Sequence, residues 1–136
     1  MKTRIVPSLR YQDCRQAIDW LCATFGFEEH LIVPNESGGI AHARLVYGMA
    51  MIMLGDYHSD ADDPFGQLNK SPLQLDGYNT ASVYMIVKDV DAHYEKARAA
   101  GAEIVLDIVD EHEGRGYTCK DLEGHLWSFG SSDPWE

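Results

Sequence analysis

The chain repeats itself. Asp13 and Asp89 stand 76 residues apart, Gly26 and Gly101 stand 75 apart, Gly48 and Gly124 stand 76 apart, and Gly55 and Gly130 stand 75 apart. In each copy the Asp follows a short β-type run and precedes a helical one. The first Gly closes that helix, the second opens a short apolar strand (MAMIML or HLWSF), and the third ends it. Four markers at one offset imply a duplicated unit of about 75 residues, in which neither copy can cover its own apolar surfaces alone.

Periodicity and capping residues define the elements of each copy. Asp13 is suited to accept the orphan amides of a helix on which Ala17, Ile18, Leu21, Cys22 and Phe25 share a face, and Gly26 stops it after about twelve residues. In the second copy Asp89 caps, Val90, Tyr94 and Ala97 form a narrower stripe, and Gly101 terminates, so this helix should be buried less deeply. The β-type runs are residues 4–10, 29–34, 40–47 and 49–54, then 81–87, 103–109, 117–120 and 126–130. Turn-rich strings separate them: NESGG at 35–39, EGRG at 113–116 and DLEG at 121–124.

Each half therefore reads β-α-β-β-β. This predicts an α+β protein, a single domain over 1–136 built of a module at 1–55, a linker at 56–80 and a module at 81–132. One helix covers one face of a four-stranded sheet, so the other face needs a partner. Two modules placed sheet to sheet would form a cleft between mixed sheets. The linker holds Asp56, Asp60, Asp62 and Asp63, but it lacks the central Gly and terminal Glu of a calcium loop and is expected to be a solvated flexible loop.

The charge balance narrows the partners. Eleven basic against 22 acidic residues give a net charge of −11, which disfavours nucleic acid and anionic membranes. The longest apolar run, residues 49–54, is far too short to span a bilayer, and the first residues lack the apolar stretch of a secretion signal, so a cytoplasmic protein is expected. Cys14, Cys22 and Cys119 are odd in number and form no C-x-x-C pair, so they are expected to be buried or half-buried free thiols.

Several strings carry a family likeness. Val87-Lys88-Asp89-Val90-Asp91-Ala92-His93-Tyr94, Ala97-Arg98-Ala99-Ala100-Gly101-Ala102-Glu103-Ile104 and Asp121-Leu122-Glu123-Gly124-His125-Leu126-Trp127-Ser128-Phe129-Gly130 are similar to the second module of glyoxalase-like proteins. Ala17-Ile18-Asp19-Trp20-Leu21 with Phe25-Gly26-Phe27 resembles the first module's helix and its exit. The chain thus resembles the glyoxalase/bleomycin-resistance/dioxygenase (vicinal oxygen chelate) superfamily. The resemblance implies a homodimer, with the cleft lying within or between chains according to how the modules pair. In the metal enzymes of that superfamily, four His, Gln or Glu ligands come from the first and fourth strands of each module. The corresponding positions here are Pro7, Met53, Ser82 and Ser128, with Ser8, Ile52, Val83 and Trp127 as neighbours. None suits a divalent ion that wants imidazole or carboxylate, so no metal and no cofactor are expected.

Alternation along the strands then places Leu126 with Ser128, Tyr84 and Ile86 with Ser82, Met51 with Met53, and Leu9 with Pro7 on the cleft side. Such a lining is apolar with a few hydroxyls, as in small-molecule sites. His42 and Arg44 share one strand face and read first as a solvated or interface-facing edge, second as a proton carrier beside an anion clamp. Arg115 and Tyr117 follow a glycine-flanked turn near the mouth of the second module, while His58, His93, His112 and His125 read as surface residues. The expectation is a metal-independent binding protein of the sequestration or resistance type for a small apolar or aromatic molecule. A metal-dependent lyase, isomerase or dioxygenase of the same superfamily is the alternative, and an interaction module with a filled cleft is the third.

Overall fold

The computed structural model describes residues 2–58, 64–111 and 114–136, with the side chain of residue 111 excluded. Strand β1 (Ser8–Tyr11) leads into helix α1 (Cys14–Phe25), then β2 (Glu28–Pro34), β3 (Ile40–Tyr47) and β4 (Ala50–Asp56). A short helix α2 (Pro64–Leu68) and a 3-10 turn (Pro72–Gln74) follow. The second copy is β5 (Val83–Ile86), α3 (Val90–Ala99), β6 (Glu103–Glu111), β7 (Gly114–Lys120) and β8 (Leu126–Gly130). Each module forms a mixed four-stranded sheet with the same topology, β1-β4-β3-β2 and β5-β8-β7-β6, in which only the first and last strands run parallel.

The caps act as the sequence indicates. The Asp13 carboxylate accepts from the amide of Gln16, that of Asp89 from Ala92, and Gly26 ends α1 at φ 92°, a left-handed conformation that glycine adopts without side-chain strain. Helix α1 buries Cys14, Ala17, Ile18, Leu21, Thr24 and Phe25, and α3 buries Val90, His93, Tyr94 and Ala97. No described helix is long and apolar enough to cross a membrane.

The two modules meet on their helix sides. Phe25 packs against Trp127 and Phe129 with ring centroids 5.3 and 4.7 Å apart, and Phe27 against Trp127 at 5.7 Å. Ala43, Leu45, Ile52 and Leu54 from the first sheet join Met85, Tyr117, Cys119, Trp127 and Phe129 from the second in one core. Since side chains alternate across a strand, the intervening residues point to the face turned away from the helices. Both of those faces stay open, each on its own side, rather than closing on one another. Tyr84, Ile86, Leu106 and Val109 are 45%, 46%, 63% and 48% exposed.

Polar contacts reinforce the junction. The Glu123 carboxylate, 4% exposed, accepts from the amides of Gln12 at 2.7 Å and Asp13 at 2.9 Å and from the Ser71 hydroxyl at 2.6 Å. It therefore ties the start of α1, the linker and the β7–β8 turn together. Asp121 accepts from the Tyr11 hydroxyl at 2.6 Å, the Trp127 indole at 3.0 Å and the amides of Glu123 and His125. The string DLEG forms the turn the sequence indicates, and its Asp121 and Glu123 are buried connectors between modules.

Several expectations need correction. Strand β1 begins at Ser8 rather than Arg4, and its parallel register with β4 (Ser8↔Met53, Leu9↔Leu54) sends Leu9 onto the core and leaves Ser8 on the Met53 face. Strand β7 begins at Gly114, so Arg115 lies in a strand rather than a turn. The linker carries α2 and a capped 3-10 turn whose Ser71 is fully buried. Asp56 is the last residue of β4 and accepts from the amides of Cys14 at 2.7 Å and Ile40 at 2.6 Å, while Asp60, Asp62 and Asp63 lie outside the described residues.

His93 and His125 are 7% and 9% exposed, not surface residues. His93 lies against Tyr117 Oη at 2.6 Å and the Phe25 carbonyl at 3.0 Å, and His125 Nε2 donates to the Arg10 carbonyl at 2.7 Å. Satisfied hydrogen bonds let an imidazole sit among aromatic rings, which periodicity alone does not signal. His58 is half-buried and His112 lies outside the described residues. Cys14 and Cys119 are buried and Cys22 is half-buried, all free.

Candidate functional site

On the open face of the second sheet, Tyr84 and Ser128 are direct neighbours in register, as are Ser128 and Thr118. The Thr118 and Ser128 hydroxyls hydrogen-bond at 2.7 Å. These residues line a hollow of about 360 Å³ together with Leu106, Val109, Arg115, Gly116, Gly130 and Pro134. The Tyr84 ring lies across Gly130, where a Cβ would come within 2.7 Å of its oxygen, and its hydroxyl donates to the Ser132 carbonyl at 2.6 Å. Glycine at 130 is thus what lets the phenol lie flat on the strand.

Arg115 is committed within the chain. Its guanidinium meets Asp91 at 2.9 and 3.1 Å and Asp110 at 3.1 Å, and these carboxylates hold its charge still more firmly than usual. Tyr117 borders the same hollow, but its ring is only 3% exposed and stacks on Phe129, because it has the core-facing parity of β7. Burial raises its phenol pKa. Thr118, its neighbour on the open face, is the residue that sequence reasoning passed over, although alternation from Ser128's partner strand points to it. Leu126 is half-buried at the start of β8, and Ser82 is exposed just before β5.

The remaining candidates lie on the first sheet. Arg44 faces Met53 on β4 and Leu31 on β2, and its Nε donates to His42 Nε2 at 3.1 Å. Accepting that bond makes Nε2 the unprotonated ring nitrogen. Met51 lines a different, more apolar hollow of about 690 Å³, where Tyr84, Pro7, Phe27 and Met49 bring the two modules together. Of the ten candidates, Tyr117 turns to the core and Arg115 to Asp91 on α3, and the rest lie on the two sheets or at the seam joining them.

The positions that bear metal ligands in glyoxalase-type enzymes hold poor donors. Of the four positions to which the resemblance carries ligands, Pro7 and Ser82 lie just before β1 and β5, while Met53 and Ser128 have Ser8 and Tyr84 as register neighbours; a proline, a thioether and hydroxyls, those of Ser128 and Tyr84 already paired with Thr118 and the Ser132 carbonyl, are weak ligands. Among the described residues no three His, Cys, Asp or Glu side chains gather as a cation site requires. These residues do not fit a divalent metal.

The thiols are not poised nucleophiles. Burial, with Asp56 and Glu123 nearby, pushes Cys14 up to about 12, and burial beside Asp121 pushes Cys119 up to about 12. Neither faces an open sheet surface.

Comparison with known proteins places this architecture. TioX from Micromonospora sp. ML1 is 35% identical, each chain covering 94% of the other, with a TM-score of 0.73. An uncharacterised protein of Mycobacterium bovis, Mb0911c, is 33% identical over 125 residues, 91% of this chain and 80% of its own. The fosfomycin resistance protein FosX from Listeria monocytogenes shares the fold at 15% identity, with a TM-score of 0.69 over 99% of this chain and 97% of its own. Residues 4–129 match the model of the Glyoxalase/Bleomycin resistance protein/Dioxygenase superfamily, and the chain belongs to that family.

Proposed function

We propose that this protein binds a small apolar or aromatic molecule without a metal, in the manner of a sequestration or resistance protein. The site is completed when a second copy brings its sheet against the open faces. One observation carries the reading: both open faces are half-exposed and apolar, with hydroxyls and a thioether where metal ligands would stand. Leu31, Val33, Ile86 and Leu106 are 37–63% exposed on strands whose other side is core. A membrane or nucleic acid is a poor partner for a chain of net charge −11.

The contribution of each sheet differs. The second sheet offers the hollow with Tyr84, Thr118 and Ser128, where hydroxyls orient a ligand and Leu106 and Val109 cover it. The first sheet offers Met53, Leu31, His42 and Arg44. Methionine side chains adapt to irregular ligand shapes at little cost.

The test is titration of chelator-treated protein with the uncharged fluorophore N-phenyl-1-naphthylamine, alongside sedimentation. Saturable binding at a fixed stoichiometry per dimer, unchanged by added Ni²⁺, Zn²⁺ or Fe²⁺, is expected. Binding that appears only with metal, or a dimer that shows no saturable binding, refutes the proposal.

A further inference from the structure

We infer that the ligand carries an oxyanion and that Arg44 receives it, so that the bound class is an acidic aromatic or apolar molecule. This rests on the ligand-binding reading above and deepens it. Arg44 lies mid-strand on β3 between Met53 and Leu31, with Val46 beyond it, so this half-buried side chain rises from a mainly apolar stretch of the open face.

Among the described residues only one of its donors is used: Nε is spent on His42 Nε2. Among the described residues no carboxylate comes within 4.0 Å of Arg44, whereas Arg15 pairs with Asp19 and Glu29, and Arg115 with Asp91 and Asp110. In a chain with 22 acidic side chains against 11 basic ones, Arg44 is half-buried with no acidic partner among the described residues, whereas Arg10 on the same sheet is engaged by the Asp56 carbonyl and the Phe65 ring. A guanidinium in apolar surroundings is stabilised by a partner, and its planar edge matches a carboxylate or sulfonate through two parallel hydrogen bonds. The His42 contact fixes the plane of the fork, leaving the Nη edge to the ligand. Arg115 on the other sheet, already saturated by two carboxylates, does not offer this.

A matched pair of probes tests it: 8-anilinonaphthalene-1-sulfonate and uncharged N-phenyl-1-naphthylamine, the same ring system with and without an acid. The parent protein should bind the sulfonate about tenfold or more tightly than the neutral compound. Arg44→Met should abolish that preference, bringing the sulfonate's affinity to within about twofold of the neutral compound's in the same variant. Arg44→Lys, which keeps charge but not the fork, should fall between them. Arg15→Met, removing a surface charge elsewhere, should change neither, and melting temperatures establish that each variant folds. Equal affinity for the two probes in the parent protein overturns the inference while the ligand-binding reading stands. So does a preference that survives Arg44→Met with the dimer weakened, the outcome expected if a carboxylate of the second copy occupies Arg44. Failure of the parent protein to bind either compound refutes the underlying reading.

Discussion

Removing the Glu123 carboxylate should loosen the junction between modules. It is 4% exposed and accepts from two backbone amides and one hydroxyl. Hydrogen bonds to a charged acceptor contribute about 1.5–3 kcal/mol each. In Glu123→Ala the exposed Gln12 and Asp13 can recover water on their amides, whereas the Ser71 hydroxyl, fully buried, cannot. The net loss should therefore be about 3–5 kcal/mol, below the simple sum of three bonds. For a domain of this size that corresponds to a fall in melting temperature of roughly 10–20 °C. Glu123→Gln keeps the shape but turns an amide NH₂ toward donors, and should lose about 1–3 kcal/mol. Urea unfolding followed by tryptophan fluorescence and by circular dichroism measures both. A loss under about 1 kcal/mol for Glu123→Ala, with an unchanged urea slope, would show that the connector is dispensable.

Burial lowers the His93 pKa below its free value of 6.5, assisted by the Lys96 charge and opposed by the Phe25 carbonyl. As pH falls through that value the unfolded chain takes up the proton first, so this contribution to stability is complete above it and lost below it. Melting temperature should decline from about pH 7.5 to about pH 5 in the parent, across the ordinary histidine range, and less steeply in His93→Phe. Native protein treated with a thiol-reactive disulfide should modify half-buried Cys22 first, with Cys14 and Cys119 reacting only on unfolding; rapid labelling of all three would contradict the buried placement. A Cβ at Gly39 would lie 2.2 Å from Asp56 Oδ2, which already accepts from Ile40. Gly39→Ala should thus cost about 1–3 kcal/mol in chemical denaturation, and a neutral result would show that Asp56 has room to move.

The repeat and its capping residues were legible because they are local: Asp13, Asp89, Gly26 and Gly101 act within a few residues of themselves. Strand parity was legible where a strand has strong alternation, as at Trp127 and Phe129 against Leu126 and Ser128. It failed on β1, where Pro7 interrupts the pattern and pairing with β4, a partner more than 40 residues away, sets which side Leu9 takes. His93, Asp121 and Glu123 were misread for a related reason. A polar side chain signals the surface unless its hydrogen-bond partners are known, and theirs come from the other module or from strands distant in sequence. The division of the site candidates between two faces was invisible for the same cause, since periodicity says which residues share a face but not what that face meets.

The strands separate two demands that many proteins must meet with the same residues. One side of each sheet is core and the other is open, so consecutive positions such as Trp127 and Ser128, or Ile52 and Met53, answer to different pressures. Substitution at Met53 or Ser128 alters what the surface can hold while leaving the aromatic packing around Phe25 intact. A scaffold arranged this way can exchange one set of ligand-contacting side chains for another, position by position, without passing through an unfolded intermediate sequence. That freedom suits a chain whose architecture is that of its family while positions such as Met53 and Ser128 carry a thioether and a hydroxyl.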